Sequence, residues 1–246
     1  HKKNRFQTSS LSSSLSSSSV YPYPVDYCDH FETSYEAYSD IDPLLQALTR
    51  YLRKENGKKD LKVYDPYFCA GSTIEHLSKL GYVRNNIYHF KRDFYKDIVE
   101  NECPKDFDIL LTNPPYSDDH KERCLDYTIK CQKPAMLLLP SYIVTKNYFA
   151  KVMRTETELS TVKTSSSYKS DKAFQYSKEE IRTWKFFVPS QKYSYDHPEG
   201  TGHANSPFFS LWFLFFPHQF YNSLPVELQD KLKTQNDLFQ EGIVKS

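Results

Sequence analysis

The amino-acid sequence predicts an α/β protein with a mostly parallel central sheet. Short apolar strand patterns alternate with amphipathic helix patterns, which is the order typical of parallel sheets. The run FDILLT (107–112) is apolar on both faces, as expected of a strand covered by helices on both sides. A length of 246 residues suits one core of this kind. We therefore expect one sheet with helices on both faces and an antiparallel strand pair near the C-terminus.

The first predicted elements are a helix, a strand and a second helix. In DIDPLLQALTRYLRKENG the apolar residues follow one helical stripe, with Asp42 as the expected N-cap and Pro43 in the first turn. The run LKVYD (61–65) has the composition of a short strand. The turn PYFCAG then leads into STIEHLSKLG, where Ser72 and Glu75 form a possible capping box.

Further strands and one long polar segment follow. NIYHF (86–90) and PAMLLLP (134–140) are strand candidates, and Asp118 and Asp119 favour a helix N-terminus between them. The polar stretch 151–180 offers few apolar positions for docking, so we expect a flexible substrate loop or lid. WKFFVPSQKYSY and SPFFSLWFLFF flank a turn-rich segment and are predicted to pair as antiparallel strands.

Composition limits the class of protein. Residues 1–19 are basic and then serine-rich, which predicts a disordered flank, and 20–246 are expected to form a single domain. No run approaches the ~18 apolar residues of a membrane span, and five cysteines without a CxxC pair indicate neither disulfides nor zinc. We expect a soluble intracellular protein, nuclear or cytoplasmic, without a membrane partner. The net charge of +1 means that any contact with nucleic acid must be local.

The clearest chemical motif lies in DILLTNPPYSDDH (108–120). Two prolines stiffen the loop and remove two N–H groups, so the carbonyl of Pro114 is expected to stay unpaired beside the side-chain oxygen of Asn113. Two acceptors in fixed geometry suit a planar –NH2 group, because binding both protons localises the nitrogen lone pair and makes it nucleophilic. Tyr116 offers a flat face on which a heteroaromatic ring could stack.

Other site chemistries have weaker support. The GxGxxG and GxxxxGK[ST] patterns are absent from a chain with only 6 Gly, which argues against nicotinamide and nucleoside-triphosphate chemistry. His197 and His203 are interpreted as solvated loop residues, so no metal site is predicted. Cys69 is interpreted as a small turn residue, since no base is fixed beside it.

TNPPY together with DPYFCAGST resembles the S-adenosylmethionine-dependent amino-methyltransferases, Rossmann-like enzymes that methylate adenine N6 or cytosine N4, with relatives acting on protein glutamine. The motif [DNS]PP[YFW] of that family matches the residues that the resemblance makes catalytic, Asn113, Pro114, Pro115 and Tyr116. The resemblance also implies three groups of cofactor-binding residues. The first motif supplies Asp65, Pro66, Tyr67, Phe68, Cys69 and Gly71. The upstream DHFETSYEAY supplies Phe31, Glu32 and Thr33, and an adenine-side motif supplies Asp93 and Phe94. The order of motifs is similar to that of the gamma-type enzymes.

The resemblance implies a class I methyltransferase that uses S-adenosylmethionine to methylate an exocyclic amine of a nucleobase, adenine N6 first, in DNA or RNA. Asp65 would accept from the methionine ammonium, although a carboxylate at this position can also serve only the turn. The family's separate ribose carboxylate has no match between Gly81 and Phe107. Two alternatives stay open, a protein glutamine methyltransferase and a non-catalytic subunit that binds RNA or protein.

Overall fold

The described part of the chain is an α/β structure, seen in a computed structural model that describes residues 32–153, 182–196 and 208–245. The predictions for 1–19, Phe31, His197 and His203, and for most of the proposed lid at 151–180, lie outside these residues. Within the described ranges no helix is both long and apolar enough to cross a lipid bilayer.

The elements occur in an alternating order along the chain. The strands are β1 Glu32–Thr33, β2 Val63–Tyr64, β3 Ile87–Tyr88, β4 Ile109–Thr112, β5 Ala135–Pro140, β6 Arg182–Phe187, β7 Tyr195–Asp196, β8 Ser210–Pro217 and β9 Leu232–Lys233. The α-helices are α1 Tyr35–Tyr51, α2 Ser72–Lys79, α3 Phe94–Glu100, α4 His120–Cys131, α5 His218–Ser223, α6 Val226–Gln229 and α7 Gln235–Gln240. Short 3₁₀ helices span Gly57–Asp60, Arg84–Asn86 and Ser141–Thr145, and residues 147–153 are helical.

Seven of the described strands form one mixed sheet in the order β3-β2-β4-β5-β8-β6-β9. β3, β2, β4 and β5 are parallel, whereas β8 runs antiparallel to both β5 and β6, and β9 runs antiparallel to β6. The predicted α/β class, the parallel half and the antiparallel pairing of the last two long strands are confirmed. β1 and β7 pair separately as a two-stranded antiparallel sheet.

Helices cover both faces of the sheet. Successive residues of a strand point to opposite faces, so each strand contributes side chains to two cores. In β4, Ile109 and Leu111 pack in one core with α1, α2 and α5, and Leu110 packs in the other with α3, α4 and α7. All three are fully buried. Truncating such a side chain to alanine typically costs about 2–5 kcal/mol, so the central strands form a rigid base for the loops at their ends.

The first helix begins earlier than its sequence pattern predicts. α1 starts at Tyr35, and Pro43 lies inside it, so the prediction of Asp42 as the N-cap was wrong. A proline in a helix leaves the carbonyl four residues earlier unpaired, and here that residue is Ser39, which is exposed and open to water. The Asp42 carboxylate instead accepts hydrogen bonds from three side chains, those of Gln46, Lys58 and Tyr82.

Candidate active site

The two predicted motifs lie side by side at the carboxyl edge of the parallel strands. Tyr64, the last residue of β2, pairs with Tyr88 of β3 on one side and with Leu110 of β4 on the other. Asp65 therefore follows β2 next to the end of β4, which leads into Asn113. Ligands of open α/β sheets bind at this edge, and the arrangement makes it the candidate site.

Asp65 is the centre of a buried polar network beneath this edge. Its Oδ1 accepts from the Thr112 hydroxyl at 2.5 Å and from the Tyr67 backbone N–H at 3.3 Å. Its Oδ2 accepts from the Thr73 hydroxyl at 2.9 Å and lies 3.3 Å from Nδ1 of His89. Nδ1 of His89 also lies 3.1 Å from the backbone carbonyl oxygen of Asp65. A carboxylate has about four acceptor positions, and the three hydrogen bonds from Thr112, Tyr67 and Thr73 occupy most of them. A cofactor ammonium that bound Asp65 would share this carboxylate with those three donors.

Burial controls protonation in this network. Removal from water raises the pKa of the Asp65 carboxyl, while His89 and the threonine hydroxyls oppose that shift. Tyr38 bonds Thr73 at 2.9 Å, and burial together with the Asp65 charge raises the pKa of its phenol well above the usual value. His89 is 4% exposed, and its Nε2 has no hydrogen-bond partner. The Phe68 ring covers this imidazole, with the two ring centroids 4.8 Å apart.

The N-terminus of α2 binds the carboxylate of Glu32, which comes from β1. Oε1 accepts from the backbone N–H of Gly71 at 3.1 Å and from that of Ala70, and Oε2 accepts from Ser72 N–H at 2.9 Å. Gly71 is the N-cap at φ +98°, a left-handed conformation that favours glycine. The predicted capping box was wrong, because the helix takes its acceptor from a distant strand and the Ser72 hydroxyl has no partner.

The other predicted cofactor residues divide between the core and the edge. Pro66, Tyr67 and Thr33 are buried, and Phe94 is only 1% exposed, packed against the rings of Tyr64, Tyr67 and Tyr127. Asp93 is the N-cap of α3, where its carboxylate accepts from two backbone N–H groups. Phe68 and Cys69 are half-buried in the turn above β2. The assignment of all these residues as cofactor contacts stays a prediction.

The Asn-Pro-Pro-Tyr loop follows β4 and lies outside the regular helices and strands. Pro114 and Pro115 are buried, which fixes the loop against the sheet edge, and Asn113 is half-buried. The Oδ1 atom of Asn113 is shielded from solvent and has no hydrogen-bond partner in the structure. A buried acceptor left unpaired costs about 1–3 kcal/mol, and a catalytic role is one explanation for such an atom in a native protein. The unpaired oxygen is therefore a candidate acceptor for a substrate N–H.

Tyr116 is half-buried and anchored by its hydroxyl. The hydroxyl donates to the carbonyl of Leu138 in β5 at 3.3 Å and lies 3.5 Å from Oγ of Ser210 in β8. Burial raises the pKa of this phenol well above its usual value, so it remains a neutral donor rather than a base. The edge of β5 and β8 thus fixes the ring beside Asn113, as a stacking surface requires.

A buried lysine holds the turn that follows the motif. Lys121 is 7% exposed, and its ammonium donates to the carbonyls of Tyr116, Ser117 and Asp118. Asp118 adopts a left-handed φ of +36°, and α4 begins two residues later. The loop between β4 and α4 is thereby fixed at both ends, by two prolines and by one cation.

Sequence reasoning missed several residues of this site. Thr112 and His89 each come at the end of a predicted strand, so the rule that places sites at carboxyl ends could have found them. Lys121 and Tyr38 carried no local signal, because each lies on a helix where a buried polar side chain looks like a solvated one. Within the described ranges no cluster of three or more His, Cys, Asp or Glu side chains is placed to hold a metal ion.

The site fits part of the chemistry of S-adenosylmethionine. The backbone N–H groups from Ala70 to Ser72 already bind a carboxylate, that of Glu32, so this turn has the donors that the methionine carboxylate needs. The acceptor expected for the methionine ammonium, Asp65, is occupied by its own neighbours.

Comparison with known proteins adds no assignment. A search against models of protein families gave no match, and a search of curated proteins found no significant similarity.

Proposed function

We propose that the protein is a Rossmann-like, S-adenosylmethionine-dependent methyltransferase that modifies an exocyclic amino nitrogen of a nucleobase, most specifically adenine N6 in DNA or RNA. The observation that carries the proposal is the unpaired, shielded oxygen of Asn113 at the end of β4, beside two buried prolines and an anchored tyrosine. The strand order of the sheet and its single reversed central strand, β8, are consistent with this fold class.

Catalysis by this site depends on positioning. Asn113 Oδ1 accepts one proton of the substrate amine, and the rigid loop supplies a second acceptor through the Pro114 carbonyl. Tyr116 packs against the face of the base and limits its rotation. S-adenosylmethionine supplies an electrophilic methyl group on a sulfonium when it is bound. The amine loses its proton after attack, so the site needs no side chain that acts as a strong base.

Transfer of a labelled methyl group identifies the substrate class. The wild-type protein is incubated with labelled S-adenosylmethionine and separate pools of DNA, RNA and protein, and the product nucleosides or amino acids are separated. The proposal predicts label in N6-methyladenine from at least one nucleic-acid pool. Label on glutamine alone would reassign the substrate to protein, and no label in any pool would contradict the enzymatic function.

The variant Asn113→Ala tests the chemistry. Loss of one preorganised polar contact to a reacting group lowers turnover by a factor on the order of 10² or more, whereas cofactor affinity should stay near wild type. Asn86→Ala is the matched control, since the Asn86 amide also makes one hydrogen bond, to the Lys59 carbonyl at 2.7 Å. Asn86 lies just before β3, at the end of that strand away from the candidate site. Normal turnover in the Asn113 variant would refute the role of its oxygen.

A second candidate function is a non-catalytic subunit with this fold. Two observations favour it. Asp65 is buried and already accepts three hydrogen bonds from its own neighbours, and the anion-binding turn of α2 already holds Glu32. A protein that had lost cofactor binding would retain such closed contacts, so direct measurement of cofactor binding separates the two functions.

A further inference from the structure

A partly exposed aromatic row extends from the Asn-Pro-Pro-Tyr loop across the sheet edge. It consists of Tyr116, Phe208 and Tyr142, with ring centroids 6.4 Å apart between the first two and 5.3 Å apart between the last two. Phe208 precedes β8 and is 39% exposed, and Tyr142 lies half-buried in the 3₁₀ helix Ser141–Thr145. One exposed and two half-buried aromatic rings thus lie directly beside the candidate amine-binding loop.

The Tyr142 end of this row carries positive charge, whereas the exposed Asp118 and Asp119 follow Tyr116 at its other end. The ammonium of Lys146 lies over the Tyr142 ring, 5.4 Å from its centroid, and both Lys146 and Lys151 are exposed. Residues 127–153 contain lysines but no aspartate or glutamate, although the chain as a whole is nearly neutral. Burial raises the pKa of the Tyr148 phenol, and the charge of the exposed Glu122 in α4 adds to that shift, so Glu122 also lies near this surface.

We infer that the aromatic row with Lys146 binds a single-stranded nucleic acid beside the reacting base. Flat rings next to a cation fit a polyanion with unstacked bases, because bases stack on aromatic side chains and phosphates pair with lysine. Phe208 and Tyr142 stack on the neighbouring base, and Lys146 contacts a phosphate. The inference rests on the proposed nucleobase substrate and restricts that substrate to bases in single-stranded DNA or RNA. Duplex DNA would have to be opened first.

Fluorescence anisotropy with labelled oligonucleotides tests this surface without any methyl transfer. The probes are an adenine-containing single-stranded DNA, the matching RNA and the DNA duplex of the same sequence. Loss of one stacking partner in Phe208→Ala or Tyr142→Ala should weaken single-strand binding by at least about fivefold. Lys146→Ala should lower the slope of log Kd against log salt by about 0.7, as expected for one phosphate contact.

Phe90→Ala is the control, because Phe90 is 49% exposed but follows β3 at the other side of the sheet. Its single-strand affinity should equal that of the wild type. The inference is overturned if the wild type binds neither single strand, if it prefers the duplex, or if the Phe208 and Tyr142 variants bind like the control. The binding assay does not depend on methyl transfer. If the wild type transfers no methyl group but binds a single strand more tightly than Phe208→Ala does, the proposed function is contradicted and the inferred binding surface is supported.

Discussion

Replacing Glu32 by glutamine should destabilise the protein by about 1–2 kcal/mol. The carboxylate accepts three backbone N–H groups at the start of α2, including those of Gly71 at 3.1 Å and Ser72 at 2.9 Å. Glutamine keeps one acceptor oxygen but turns an –NH2 group toward a donor and removes a negative charge from the helix N-terminus. Losing a cap typically costs ~1 kcal/mol and losing the charge about 0.3–1 kcal/mol. For a domain of this size, Tm should fall by roughly 2–8 °C.

Urea unfolding measures this effect, with the midpoint lowered and the m-value unchanged. Glu75→Gln is the matched control on the same helix, since its carboxylate is exposed and its salt bridge within the described residues is with Lys79 at 2.8 Å. An exposed pair of this kind contributes at most about 0.5 kcal/mol. Equal destabilisation of the two variants would refute the view that Glu32 caps α2.

Three further substitutions test the contacts around the site. Thr112→Val removes the 2.5 Å bond to the buried carboxylate of Asp65 and should cost about 1–3 kcal/mol of unfolding free energy, measured in urea. Lys121→Met should speed backbone hydrogen exchange in the turn after the Asn-Pro-Pro-Tyr loop, because it removes the donor to three carbonyls there. Lys130→Met, which removes an exposed pair with Asp126, should leave that exchange rate unchanged. Equal exchange rates in the two variants would contradict the role of Lys121 in holding the turn. Asp93→Ala removes the N-cap of α3 and should lower stability by about 1 kcal/mol, and an unchanged urea midpoint would show that the cap contributes little.

The parts of the fold that follow from local pattern were predictable from the sequence. The continuous apolar run of β4 and the alternating order of strands and helices predicted a buried parallel sheet, and the half of the sheet formed by β3, β2, β4 and β5 is parallel. The start of α1 was not predictable from propensity, because Pro43 reads as a first-turn residue. Tertiary burial of Ala37 and Ile41 extends the helix backward past it.

The candidate site divides in the same way. The stiffness of the Asn-Pro-Pro-Tyr loop follows from two prolines, and its place at the sheet edge follows from the preceding strand. The partners of Asp65 and Glu32 lie up to 47 and 40 residues away in sequence, so no local pattern reveals that both carboxylates are already engaged. A cofactor that bound these carboxylates or their donors would compete with contacts that only the folded chain brings together.

Calorimetric titration with S-adenosylmethionine tests the central claim most directly. The account predicts saturable binding of a single equivalent by the wild type, with near-equal affinity in Asn113→Ala, and a rise in Tm that grows with cofactor concentration. Absence of both heat and thermal stabilisation at cofactor concentrations on the order of 1 mM, where even a weak site gives a measurable signal, would contradict the methyltransferase and favour the non-catalytic subunit.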